Sequence, residues 1–474
     1  MNIAIQPRTP DDAVTGQAAR FIAGLDAASI PEDVLEKART CILYGFGIGL
    51  LCLNQETARV AERSVLAIDG EATGRGATSL AGGHRVAVSA AVFANAVLLH
   101  SRCQEDTSGT AHLGVVVLSV ALALLEAGLT QHDDLIAGIV AGYEVAGTLE
   151  AALGRETMAS GLRASSLYGT LAAAAAAARM LRLPVAQIDG ALANAAAFTG
   201  GTLQSIPEGS DEWRYQVGVA ARSGLLSAML AQQASCSARQ SIEGPQGFVH
   251  AFAKRAMKPD EFRFGDTWRL RNVTFKPYPV CAHNQTVALI GAQVHQRFAA
   301  EQIDALRLRI SSYLVPGLLS RGPYSRVAET LMSSAFCCAC ACVYGTVSMA
   351  QLETFDDPAI AAMMERITIE PDDTVAYPAA VAEIRLKDGT KAELSERRSF
   401  ADFSLGRADV NQQLLRLAAE EGIPARSIAL LDEFAFGPGN PAPAHIVQAY
   451  ALARSSVANP AGLATQADLQ EEHA

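Results

Sequence analysis

The chain is poor in charge. Asp, Glu, Lys and Arg supply 18% of its 474 residues, whereas half of the residues are hydrophobic. That ratio excludes a thin amphipathic shell around a small core and predicts closely packed, deeply buried helices rich in Ala and Gly. No block of Lys and Arg occurs, and the net charge is −11. Nucleic acid and membrane surfaces are therefore not expected partners, and an anionic substrate has to be drawn in by a local cluster of cations against the overall field. Met1 to Gly16 lacks the apolar run of a secretory signal. With an odd count of nine cysteines, this points to reduced thiols in a cytoplasmic protein. The run Ala111–Leu125 is short for a bilayer and ends at Glu126, so it reads as a buried core helix. H-E-x-x-H, Walker A and G-x-S-x-G patterns are absent, which removes the signatures of zinc hydrolysis, P-loop phosphate binding and a serine nucleophile elbow.

The length fits two large domains or about three ordinary ones. From Ala18 to about Ala256 the periodicity is helical: Pro31 to Leu53, Val86–His100, Leu113–Ala127, Leu135–Leu153, Ser166–Leu181, Val185–Gly200 and Gln216–Cys236. Gly45, Gly47 and Gly49 lie inside the first of these with no strand before them, so they are not a dinucleotide fingerprint. Trp268 to Thr274 reads as strand-like. Beyond it the pattern turns to α+β, with helices at Asn284–Arg297 and Val327–Val347. Strands are expected at Leu306–Ser311, Arg366–Ile369, Ala382–Leu386 and Lys391–Leu394, the last two joined by an Asp388-Gly389 hairpin turn. Helical periodicity returns from Asp409 to Phe434. The expected fold class is mainly α: an all-helical domain over 1–270, joined again by 408–460, and a smaller α+β lid over 271–407. Pro438 to Pro443 and the tail 461–474 read as loose.

Four stretches carry reactive side chains. Phe275-Lys276-Pro277-Tyr278-Pro279-Val280-Cys281-Ala282-His283 places a lysine, a phenol, a thiol and an imidazole on a segment stiffened by two prolines. Lys276 and Tyr278 each precede a proline, so both are expected extended, with side chains on one side. The segment reads either as an active-site wall or as a rigid linker facing water. His100-Ser101-Arg102-Cys103-Gln104-Glu105-Asp106-Thr107, continuing to His112, is a polar island between two apolar helices, where unpaired groups are costly. A solvated interhelical loop is the plainer alternative. Arg163, with Ser165 and Ser166 at a helix start, has the makings of a carboxylate receptor. Arg214 reads either as a second anion clamp or as a surface partner of Glu212. Cys337, Cys338, Cys340 and Cys342 sit in an apolar helical run and read as buried thiols rather than metal ligands.

With these stretches in view, the sequence resembles the MmgE/PrpD family, which includes 2-methylcitrate dehydratase, cis-aconitate decarboxylase and iminodisuccinate epimerase. The resemblance runs from about Ala38 to Phe434. It rests on Ala94-Asn95 through Gly114, Tyr143-Glu144-Val145, the alanine helix Ser166–Leu181, Ile242-Glu243-Gly244-Pro245-Gln246-Gly247-Phe248 and Lys276-Pro277-Tyr278-Pro279-Val280-Cys281. It implies a helical domain, a lid, a site in the cleft between them, and a homodimer with no metal or organic cofactor. It also implies proton removal or transfer beside a carboxylate of a small polycarboxylate.

Where dehydratases and decarboxylases of the family typically carry an acid, a His, a Lys and a Tyr, this chain has Cys103, Arg163, Trp213 and Phe336. These departures make it look most like the epimerase branch. The expected catalytic set is Lys276, His112, Asp106 and Cys281. Lys276 works on one face of the substrate and His112 or Cys281 on the other, with Asp106 orienting His112 or Lys276. The expected substrate-binding set is Arg163, Arg214, Tyr278, Gln104 and Thr107. A tricarboxylate dehydratase or decarboxylase is the alternative, and an inactive binding protein a second. Lys276 is either a base or only an electrostatic stabiliser.

Overall fold

The computed structural model describes residues 13–458, except 27, 259, 316, 440 and 441. The tail at 461–474 and most of the stretch Met1 to Gly16 lie outside the described residues. The fold is mainly α, with a small sheet region.

The large helical body is built on the helix Ala164–Met180. Its residues Ala172 to Ala178 are all buried. Alanine favours the helix and leaves the cylinder thin, so neighbours approach from every side. His132–Ala159, Glu212–Gln232, Gly114–Glu126 and Val185–Phe198 all pack against it. His132–Ala159 has the length and composition of a membrane span, but its most apolar stretch is 83% buried inside the protein. The glycine triad has a packing role too. A Cβ at Gly45, Gly47 or Gly49 would strike Leu118, Leu414 or Tyr450, respectively. The helix Glu32–Leu50 is therefore the seam on which the late helices Arg407–Glu420, Ala425–Phe436 and Ala444–Ala458 dock.

The second core lies in a four-stranded sheet ordered Ile367–Asp372, Ile303–Ser311, Ala380–Leu386, Lys391–Glu396; the first pair is parallel and the others antiparallel. Leu306, Leu308 and Ile310 alternate inward, as a half-buried strand requires. Arg307 points outward to Glu370 and to Glu383. Gln285–Arg297, Ser334–Tyr344 and Pro358–Arg366 cover the inner face.

Two expected elements differ. Trp268 to Thr274 is not a strand: Arg269–Asn272 is a 3-10 turn. The buried Glu144 carboxylate accepts the N–H groups of Arg269 at 2.8 Å and Leu270 at 2.9 Å, which satisfies donors a strand would have used. The expected helix Val327–Val347 breaks into Val327–Met332 and Ser334–Tyr344. Ser333 lies between them, and its hydroxyl accepts the Phe336 N–H at 3.1 Å as a new N-cap. The helices Glu56–Asp69 and Pro358–Arg366 had no expectation attached to them.

A Cβ at Gly224 would lie 2.5 Å from the Thr170 carbonyl oxygen and 2.8 Å from the Ala174 nitrogen. Backbone cannot rotate away as a side chain can. Gly224→Ala gains about 1 kcal/mol of helix propensity but forces Glu212–Gln232 off the alanine helix, at a cost of ~1–3 kcal/mol or more. The expected result is a lower urea midpoint than wild type. An unchanged or higher midpoint would show that propensity wins and that this contact is not tight.

Candidate active site

One pair of backbone hydrogen bonds sets the site. Thr107 N–H donates to Thr274 O at 2.9 Å, and Thr274 N–H donates to Thr107 O at 3.0 Å. In an antiparallel pairing, one step of two residues along each chain brings Glu105 opposite Lys276. Their side chains meet: Lys276 Nζ is 2.7 Å from Glu105 Oε1, and both side chains are buried. Pro277 has no N–H, so a regular ladder cannot continue through it. Side chains take over. Gln104 Nε2 donates to Pro277 O at 2.9 Å, and Tyr44, from the glycine-rich helix, accepts the Lys276 N–H at 3.0 Å. Gln413, from a returning helix, donates to Lys276 O at 2.8 Å. Cys103 is held at φ +55°, in the left-handed region unfavourable to a side-chain-bearing residue. That turn aims its carbonyl oxygen at the Lys276 ammonium, 2.9 Å away.

Glu105 is the hub. Its Oε1 lies 3.3 Å from His112 Nδ1 and its Oε2 lies 3.1 Å from His100 Nδ1, the latter without the alignment of a full hydrogen bond. Arg163 Nη2 is 2.6 Å from His100 Nε2. A guanidinium only donates, so His100 Nε2 accepts and the ring proton sits on Nδ1, facing Glu105. His112 Nδ1 lies 2.9 Å from Asp106 O. A carbonyl only accepts, so this nitrogen also carries the proton, and Nε2 is the basic atom of His112. Burial first, then Arg163 and Lys276, outweigh Glu105 and push His100 down to about 4. Burial and Lys276 likewise hold His112 well below the usual 6.5. Both imidazoles are neutral near pH 7. Burial opposes the Glu105 charge, but Lys276, His100 and His112 together hold its carboxyl well below the ordinary range. Burial also opposes the Lys276 ammonium, but Cys103 and Glu105 keep its pKa above the ordinary lysine value. Lys276 is thus a fixed cation.

Asp106 takes a different position from the expected one. Its carboxylate accepts the Tyr143 hydroxyl at 2.5 Å, and burial raises it to about 6. Asp106 reaches His112 through its backbone carbonyl, and the carboxylate facing both His112 and Lys276 belongs to Glu105. Neighbouring residues of an extended segment point to opposite sides, so only one of the two acids can meet Lys276.

A cavity of about 500 Å³ lies against this cluster. Lys276, His112, Cys281, Arg163 and Thr107 line it, with Ser165 of the expected carboxylate receptor, and with Cys103 and Trp213, which were not expected as site residues. His283, Tyr313, Tyr377 and Phe400, from the part of the chain that carries the four-stranded sheet, complete the wall and are joined by ring contacts of 4.4 to 5.8 Å. Arg214, Gln104 and Tyr278 are not among the lining residues. Arg214 donates to Ser101 O and Asp211 and stacks on Trp213. Gln104 fastens the Pro277 backbone. Tyr278 packs with the lid core, parting from Lys276 rather than sharing its side. Four residues that line the cavity hold a buried group without a partner: Arg163 Nη1, Trp213 Nε1, Thr107 Oγ1 and His283 Nε2. All four can donate. Arg163 caps the start of Ala164–Met180, so the positive end of that helix faces the same space. Burial pushes the Cys281 thiol up, keeping it protonated. Among the described residues no group of His, Cys, Asp and Glu side chains is placed to hold a metal ion.

The MmgE/PrpD N-terminal domain matches residues 16–260, and the MmgE/PrpD C-terminal domain matches residues 278–421. The chain belongs to the MmgE/PrpD family. Its relatives include the cis-aconitate decarboxylase-like protein oryM of Aspergillus oryzae, 25% identical over 397 residues that cover 77% of this chain and 81% of that protein. The cis-aconitate decarboxylase of Mus musculus is 26% identical over 406 residues, 80% of each chain. That of Homo sapiens is 27% identical over 304 residues, 61% of each. These MmgE/PrpD relatives are decarboxylases by name, and none of them points to the epimerase branch suggested by Cys103, Arg163, Trp213 and Phe336.

Breaking the hub leaves a buried charge alone. Glu105→Gln and Lys276→Met are each expected to cost roughly 3–5 kcal/mol of stability. The double variant should cost less than their sum by ~1–3 kcal/mol, as expected for partners in one network. Denaturant unfolding of all four proteins checks this. Additive losses would mean that the two side chains are not coupled.

Proposed function

We propose that this chain is a cofactor-independent lyase that releases carbon dioxide from a small unsaturated dicarboxylate or tricarboxylate. The observation that carries the reading is the unpaired Arg163 Nη1 and Trp213 Nε1, buried groups of two residues that line the cavity together with His112 and its uncommitted Nε2. Buried donors without acceptors call for an acceptor-rich ligand, and a carboxylate against a guanidinium at a helix start is the natural one. The decarboxylase names of the relatives support the same reaction class.

In this reading Arg163, Trp213 and Thr107 anchor one carboxylate. The carboxylate to be lost lies against apolar wall, where poor solvation favours neutral carbon dioxide. As the carbon–carbon bond breaks, its electron pair moves into the neighbouring unsaturation and remaining carboxylate. The fixed Lys276 ammonium stabilises the charge that develops there. One proton must then reach carbon. His112 is neutral at rest, but a bound polyanion raises its pKa. It takes a proton from solvent at Nε2 and passes it to the substrate.

A second reading, epimerisation, has one observation in its favour: His112 and Cys281 both line the cavity, and inversion of a carbon needs two proton carriers. Proton NMR in deuterated water with cis-aconitate, unsaturated dicarboxylates and amino dicarboxylates separates the readings. Loss of one carbon as bicarbonate, with deuterium at the new C–H, supports the lyase. Cα exchange without net change supports the epimerase. Neither in any member overturns both.

His112→Asn is expected to lower kcat by ~10²–10⁴, the usual contribution of a proton-transfer group, while the unfolding midpoint moves little. Because His112 must pick up the proton it delivers, wild-type kcat/KM should rise on acidification through 6.5, the ordinary histidine value, where the free imidazole is still neutral, and level off only below it. A kcat/KM that falls on acidification through 6.5 would remove His112 from this role.

A further inference from the structure

The cavity is larger and more apolar than a short polycarboxylic acid requires. Its volume of about 500 Å³ lies in the range that drug-sized ligands fill. The polar groups gather at one end, at Arg163, His112 and Lys276. Most of the remaining wall is apolar, with Leu162, Leu203, Ile206, Val315, Leu331 and Met332, interrupted by Arg155, Thr110 and His283. A second cavity of about 720 Å³ adjoins the first and shares Arg155, Met158, Leu203, Tyr313 and Val315 with it. A six-carbon acid anchored at Arg163 would leave that wall facing trapped water, which wastes apolar surface.

We propose that the substrate carries an alkyl chain: a carboxylic diacid whose anionic end sits at Arg163, Trp213 and Lys276 and whose hydrocarbon tail runs along Leu203, Ile206 and Val315 towards the outer cavity. The anchoring of the anionic end rests on the preceding reading of the site; the tail rests on the volume and lining. Each methylene buried is worth about 0.8 kcal/mol, which is close to a fourfold gain in affinity.

Isothermal titration of the full chain with succinate, methylsuccinate, butylsuccinate and octylsuccinate tests the tail with unreactive probes. The dissociation constant is expected to fall about fourfold per methylene over the first several carbons. Leu203→Trp is expected to shrink the ratio of butylsuccinate to succinate affinity at least tenfold, and Val315→Phe serves if Leu203→Trp does not fold. Affinities within threefold across the series, weaker binding of the longer acids, or no binding of octylsuccinate would overturn the proposal. The two readings fail separately. Rising affinity with no turnover of any unsaturated acid removes the lyase but keeps the tail. Turnover of short acids with a flat binding series removes the tail but keeps the lyase.

Discussion

A buried salt bridge depends on register. Lys276 and Glu105 are 171 residues apart and meet at 2.7 Å, both buried. What brings them together is the single antiparallel bridge at Thr107 and Thr274. A slip of one residue would turn Asp106 towards the lysine and Glu105 away from it. The surrounding fold holds this register by several independent means. Glu144 caps the turn before Thr274, Tyr44 and Gln413 grip the Lys276 backbone, and Gln104 fastens Pro277. Glu144, Tyr44 and Gln413 come from three different helices and Gln104 from the loop after Val88–His100, so site and core are one construction.

The charge state of every neighbour follows from that pair. Glu105 balances Lys276, so neither histidine needs to charge. Arg163 donates to His100 and fixes its tautomer; the Asp106 carbonyl does the same for His112. The Arg163 guanidinium, beside the positive end of the alanine helix, is a cation at the cavity without an ion pair, and Arg155 lines the same wall. An apolar space with these cations, orphaned donors and a neutral imidazole suits an anion that must be poorly solvated at one place and firmly held at another.

Much of this was legible in the sequence. The helices of the body, the strand pattern of the lid and the Asp388-Gly389 hairpin follow from periodicity and turn chemistry. The polar island at His100–His112 and the proline-stiffened segment at Lys276 stood out because reactive groups cluster there. Which acid of the Gln104-Glu105-Asp106 run faces the lysine was not legible, since it depends on a non-local register. The roles of Arg214 and Gln104 were equally hidden. Cation and amide look like ligand groups in a sequence, but here both are used up on backbone carbonyls and on Asp211. Trp213 registered only as a departure from the pattern of relatives; that its indole N–H is left unpaired on the cavity wall is visible only in three dimensions. The strand expected at Trp268–Thr274 failed because a carboxylate from another helix captured its N–H groups.

Burial, with the Lys276 ammonium beside it, keeps His112 neutral, with its proton on Nδ1 and its basic Nε2 free. Nitrogen-15 NMR of histidine-labelled protein, assigned through His100→Gln and His112→Asn variants, measures this directly. At pH 6 both rings should show the neutral Nδ1–H pattern, and His112 should change on addition of a dicarboxylate. An imidazolium signal for His112 at that pH, or a proton resident on its Nε2, would contradict the account.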